Sequence, residues 1–218
     1  MSGYRSLKSL VLSLAMFGIV SVLAGTAKAD IVVVTGVNNQ GTDNVLLNPA
    51  TNVTTVTGTV GANNLVVNFT SSSGSHLLNA NPSGQATVSG GTGNDPLTQL
   101  TFGLANNSTF TRAVFNINAA VNGTVTITVT GINITGGTFV DSFTVDANGQ
   151  NFFTVTAING QLIQTIALSG VQMDDVRQVR LGGGEIVQTP EPATMLLLGT
   201  GLFGLAAGVR RSFRKDRS

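Results

Sequence analysis

Between Asp30 and Val187 polar and apolar residues alternate with a period of two, the repeat of a β-strand with one buried face. The clearest case is Thr124-Val125-Thr126-Ile127-Thr128-Val129-Thr130, which predicts Val125, Ile127 and Val129 on one sheet face and the threonines on the other. Val53–Val60 repeats the pattern more loosely. Further strands are predicted over Ile31–Thr35, Leu65–Thr70, Leu97–Leu104, Ala113–Asn118, Thr138–Val145, Phe152–Ile158, Leu162–Leu168 and Val176–Leu181. Turn signals separate them: Asn122-Gly123, Gly136-Gly137, Asn148-Gly149 and Asn159-Gly160. About ten short strands without a convincing helix predict an all-β body, an antiparallel β-sandwich, with a jelly-roll-like double sheet preferred to a closed barrel. Ser71–Gly93, rich in Ser, Gly and Asn, is expected to hold the longest loops. No repeat of fixed period recurs.

The pattern fails at both ends. Arg5 and Lys8 precede an apolar run from Leu10 to Leu23, and Ala27-Lys28-Ala29 places small residues where a signal peptidase requires them. Cleavage after Ala29 would make Asp30 the mature N-terminus; the alternative is an uncleaved anchor. At the other end Pro190-Glu191-Pro192 leads into a second apolar run, Met195–Val209, followed by Arg210, Arg211, Arg214, Lys215 and Arg217. A helix from Ala193 to Val209 is about 26 Å long, enough to cross the hydrocarbon layer with some thinning. The basic cluster belongs on the cytoplasmic side, so the tail runs from outside to inside. Pro190 and Pro192 bias Thr189 and Glu191 towards extended backbone, the shape a peptidase cleft binds. The resulting plan is a signal peptide over 1–29, a β-sandwich over 30–182, a linker over 183–192 that is flexible at its glycines and stiffened by proline, and a transmembrane tail over 193–218.

The closing stretch TPEPATMLLLGTGLFGLAAGVRRSFRK resembles the PEP-CTERM sorting signal of exopolysaccharide-producing Gram-negative bacteria. The resemblance implies that an exosortase, a membrane transpeptidase, recognises Pro190, Glu191 and Pro192 and removes the tail, with Arg210 and Arg211 in the basic end. It also implies passage through the inner membrane as a precursor, then delivery to the cell surface or extracellular matrix. An ordinary C-terminal anchor would share the helix and the basic end but needs no Pro-Glu-Pro. The stretches Asn151–Ala157 and Asp174-Asp175-Val176-Arg177-Gln178-Val179-Arg180-Leu181-Gly182-Gly183 resemble the closing strands of other bodies attached to this signal; that likeness supports the sandwich and brings no activity.

Charge narrows the functions open to the body. Charged residues make up 10% of the chain, against roughly 25% in an average soluble domain. Between residues 30 and 189 the only bases are Arg112, Arg177 and Arg180, against seven aspartates and Glu185, a net of about −5. Nucleic-acid binding, which needs a clustered basic face, is not expected. The chain has no cysteine, which excludes disulfides, thiolate metal sites and a cysteine nucleophile.

Few constellations carry chemistry. His76 is the only histidine, and no Gly-x-Ser-x-Gly elbow accompanies it, so a solvated loop residue is expected rather than a triad member. Gly90–Thr98 matches a calcium-binding nonapeptide, with Asp95 as its acid, yet a single copy supplies only part of a coordination shell; a glycine-rich turn is expected. Asp174 and Asp175 are the stronger calcium candidates, since a divalent cation would relieve the repulsion of adjacent carboxylates. Their alternative is a pair of solvated turn residues before the last strand, partnered by Arg177 or Arg180. The threonine face of residues 124–130 offers hydroxyl rows to a sugar or to ice, but Thr on an outer face needs no such purpose.

The expected function is that of a non-catalytic exported surface or extracellular-matrix protein, with signal peptidase, exosortase and, transiently, the inner membrane as partners. The alternative is a carbohydrate-binding module for exopolysaccharide in a biofilm matrix, with calcium as an assistant. An exported hydrolase is disfavoured by the missing catalytic set.

Overall fold

A computed structural model describes residues 30–71, 77–83, 86–91, 96–147 and 149–184. Within them the chain is all-β, with fourteen strands whose pairs all run antiparallel and one 3-10 turn at Thr135–Gly137. No helix among the described residues is long and apolar enough to cross a membrane. The helices expected near the two termini lie outside the described residues.

The last strand, β14 (Leu162–Gly182), is 21 residues long and organises the rest. Its first half pairs with β11 (Gly123–Ile132) and β9 (Leu97–Leu104). From there the ladder continues outward to β12 (Thr138–Val145) on one side. On the other it continues to β6 (Leu65–Thr70), β5 (Thr55–Val60) and the two-residue β3 (Leu46–Leu47). The second half pairs with β10 (Arg112–Ala119), which leads to β13 (Asn151–Ile158) and β1 (Asp30–Thr35). Its opposite side takes β2 (Asp43–Asn44) and β8 (Thr87–Gly90), followed by β7 (Leu78–Asn81) and β4 (Ala50–Val53). The turn of the strand from one group to the other falls at Gly170, where φ is +97° and an added Cβ would stand 2.9 Å from the Thr124 carbonyl oxygen. Only glycine takes that backbone without strain.

The two groups face one another across aromatic rings. Phe69 of β6 and Phe102 of β9 stack at 5.7 Å, and Phe102 meets Phe115 of β10 edge-on at 5.4 Å. Phe115 stacks on Phe153 of β13 at 5.8 Å, and Phe153 meets Phe143 of β12 at 5.3 Å. The Phe102–Phe115 and Phe143–Phe153 contacts join the two halves, so the core is a row of rings in offset and edge-to-face geometry. Val125, Ile127 and Val129 are buried as the alternation predicts, while Thr126 and Thr130 bond outside the core to the hydroxyls of Ser142 and Thr165. The threonine face is thus partly engaged in its own cross-strand pairs.

Several expectations need correction. Leu162–Leu168 and Val176–Leu181 are one strand rather than two, because the chain bends at Gly170 without leaving the ladder. Val53–Val60 is the reverse case: β4 pairs with β7 and β5 with β6, so the chain changes groups at Thr54. The Asn52 backbone just before it is left-handed, with φ +54°. The Ser71–Gly93 stretch contains β7 and β8, which pair across four positions from Leu78↔Gly90 to Asn81↔Thr87. Gly182, the expected last residue of the sandwich, is packed: a Cβ there would stand 2.0 Å from the Gly41 carbonyl oxygen, and its own carbonyl accepts the N–H of Thr111 at 3.0 Å.

Candidate functional site

The second half of β14 departs from regular pairing twice after the bend, and both departures fall on residues with polar chemistry. Asn118 pairs with Asp175 and Ala119 with Met173, which leaves Asp174 as the extra residue of a bulge. Further on, Asn116 pairs with Arg177 and Val114 with Arg180, so Gln178 and Val179 share the place opposite Phe115. Gln178 takes up the kink with φ +54°, the one left-handed residue among the described residues that is neither Gly nor Asn. This bulge resets the alternation. Val176, Val179 and Leu181 are all buried, and Arg177 and Arg180 both turn outward.

The two arginines therefore share the outer sheet face with Arg112, since directly opposed residues of neighbouring strands point to the same side. All three bases of the body stand on one face. Arg177 is engaged: its Nε and Nη2 donate to the two carboxylate oxygens of Asp175, each at 2.6 Å, and Asn118 Nδ2 donates to Asp175 Oδ2 at 3.1 Å. The pair is partly shielded, with Asp175 15% and Arg177 29% exposed. Asp174 is exposed. The expected turn before the last strand is thus a bulge inside it. Among the described residues no third His, Cys, Asp or Glu joins the two acids, so a calcium ion here would have to displace Arg177.

A strap closes over the same face. Gly36–Thr42 leaves β1 and crosses β13, β10 and β14, held by Thr154 Oγ1, which donates to the Gly36 carbonyl and accepts the Asn38 N–H. Arg112 Nη1 donates to the Gln40 carbonyl at 2.7 Å, and Arg180 donates from Nε to Thr42 Oγ1 at 3.3 Å. The N–H of Val45 then bonds the Val179 carbonyl at the bulge, at 2.9 Å. Between strap, bulge and the β7–β8 region lies a cavity of ≈ 530 Å³. Val114, Phe152 and Val45 give it apolar walls, and Asn39, Gln178 and Arg180 give it polar ones. Among the described residues the Arg177–Asp175 contact is the one ion pair, so the Arg180 charge is held by hydroxyl and carbonyl oxygens alone. A cavity with a guanidinium, amides and a phenyl ring is suited to a polar, anionic ligand.

The remaining sequence candidates lie elsewhere. Asp30 opens β1 opposite Ile158. His76, Asp95, Ala27, Ala29, Pro190, Glu191, Pro192, Arg210 and Arg211 lie outside the described residues. The pattern of the PEP-CTERM protein-sorting motif matches residues 188–212. The chain carries a PEP-CTERM sorting motif. The match takes in Pro190, Glu191 and Pro192, the apolar run and the first two arginines after it. It is consistent with an exosortase substrate, makes an exosortase the implied processing partner, and supports export and surface localisation of the chain. No curated protein and no solved structure matches the chain. Sequence reading found the arginines and Asp175 but not the cavity, whose only advance signal was the break in alternation at Gln178.

Proposed function

We propose that this PEP-CTERM protein is a non-catalytic component of the cell surface or extracellular matrix, exported by its N-terminal signal, held in the inner membrane as a precursor and released by an exosortase. The observation that carries this reading is the sorting motif over residues 188–212. The jelly-roll-like path of the body belongs to the same proposal, supported by the division of the strand pairs between the two halves of β14 and by the rings that join them. The intact mass of protein extracted from the surface tests both processing events together. A species from Asp30 to the neighbourhood of Pro190-Glu191-Pro192 is expected, and Pro190→Ala with Pro192→Ala should leave the tail attached and the protein in the inner membrane. A double variant that reaches the surface at its normal mass would sink the sorting reading.

A second reading is favoured by the cavity. Exopolysaccharides of the matrix are commonly acidic, and Arg180 beside Phe152, Asn39 and Gln178 offers a charge, an apolar ring face and amides to a uronate-type sugar. Calcium enters this reading only through Asp174 and Asp175. A glycan array run with and without chelator, on wild type and on Arg180→Gln, separates the two readings. Acidic-glycan binding lost in the variant supports the module, and binding lost only with chelator moves the site to the aspartates.

A further inference from the structure

Among the described residues two long strands form free edges of the sheet, and they differ in how they meet solvent. Within that set β1 pairs with β13 alone, and β12 with β11 alone. In the first case the N–H of Gly36 donates to the Phe152 carbonyl at 2.7 Å. That bond fixes the hydrogen-bonded rows of the antiparallel pair at 36–152, 34–154 and 32–156. Ile31, Val33 and Thr35 alternate with those rows, so their N–H and C=O groups point to the open side. The strand reads Asp-Ile-Val-Val-Val-Thr, and after Asp30 it contains no charge, proline or glycine. Val32 and Val34 are 40% and 48% exposed. An edge of this kind is a template for another strand. β12 is guarded: Asp141 stands near its middle, and its carboxylate accepts the N–H of Ser142 at 2.8 Å. The edges at β3 and β4 are only two and four residues long.

The geometry points to β1 as the surface through which two copies of this chain join, edge to edge, in an antiparallel pair centred on Val33. In that register Val33 faces its own counterpart, Ile31 faces Thr35 and Val32 faces Val34, with about six backbone hydrogen bonds across the new pair. Asp30 falls opposite Gly36 of the copy, so the two aspartates sit at opposite ends and never oppose each other. The strand is thus self-complementary, as a two-fold interface requires. Pairing also shelters Val32 and Val34, which meet across the outer face, where β-branched neighbours pack well. A β12–β12 pair centred on its own middle would instead bring two Asp141 carboxylates close together. This assembly stands apart from the sorting motif and from the cavity.

The chain has no cysteine, so single-cysteine variants report the register without background. When full-length Val32→Cys and Val34→Cys chains are mixed under mild oxidation, a disulfide-linked heterodimer is expected, because facing residues of such a pair have Cα atoms about 4.5 Å apart. Val32→Cys alone, roughly 7–8 Å from its own counterpart, should give several-fold less. Val33→Pro removes an N–H that serves only the open edge and leaves the β13 ladder whole. In sedimentation of the full chain in detergent, Val33→Pro should weaken the dimer by at least about tenfold in Kd. If that variant misfolds, the cysteine pattern decides alone. A dimer unchanged in Val33→Pro, equal cross-linking by Val32→Cys alone and by the mixture, or a chain that stays monomeric up to about 100 μM would each overturn the assembly.

Discussion

Thr165–Ser169 and residues 170–182 belong to the same strand, yet they are built differently. The first stretch keeps unbroken register with β11 on one side and β9 on the other, and Ile166 is buried between Val129 and Phe102. The second bends at Gly170, admits an extra residue at Asp174 and kinks at Gln178. Every base of β14, its one ion pair and the cavity lie on the second stretch. A regular strand sends alternate side chains inward and gains only burial. A bulge re-aims the residues beyond it, so that Val179 and Leu181 reach the core while Arg177 and Arg180 share one outer face. The contrast can be broken or sharpened by substitution.

The largest effect is expected in the regular stretch. Ile166→Ala should cost about 2–5 kcal/mol, from lost burial and the cavity left among Phe102 and Val129. Thermal unfolding of the variant should start roughly 5–15 °C earlier. A shift under about 2 °C would mean that the ring-filled core tolerates a void it has no room to collapse into.

Asp175→Asn comes next. It keeps the shape and the contact with Asn118 but removes the charge that Arg177 holds, at a cost of about 1–2 kcal/mol because the pair is only partly shielded. The gap to wild type should narrow in about 1 M salt. A gap indifferent to salt would assign the loss to packing.

Gln178→Gly should stabilise slightly, by under about 1 kcal/mol, since relief of the left-handed backbone exceeds the added chain entropy by little. Gln178→Val, which cannot relax there, should destabilise by more than that. If the two variants behave alike, the kink is not held at Gln178.

The smallest effect is expected from calcium. Millimolar calcium should leave the unfolding midpoint where it is, because Arg177 and Asn118 already take the Asp175 oxygens. A rise that Asp174→Asn with Asp175→Asn abolishes would reinstate the aspartates as a metal site; a rise removed by Asp95→Asn would move it to the glycine-rich turn.

The same contrast explains how far the sequence is legible. Periodicity identifies a strand only while residues alternate. Leu97–Leu104 and Thr138–Val145 were legible to the residue, and β10, β11 and β13 to within two at either end. The short strands of the first half escaped, because two to four residues carry too little period to stand out from loops rich in Asn and Ser. Arg177 as a partner of Asp175 was foreseeable from adjacency in sequence. The cavity was not, since Asn39, Val114, Phe152 and Gln178 meet only through the strap and the bulge. The sorting motif is linear, with no folding between sequence and signal, and it was legible whole.

The length of β14 also matters under mechanical load. Its second half is clasped by β10 on one side and by β8 and β2 on the other, and its first half by β11 and β9. Inter-strand hydrogen bonds lie across the strand axis. Tension arriving through Gly182 therefore pulls along β14 and loads its rungs together in shear, whereas an edge strand peeled sideways would lose them one at a time. β14 is thus the element hardest to extract, and a load applied at Gly182 is borne by both groups of strands at once before any strand lets go.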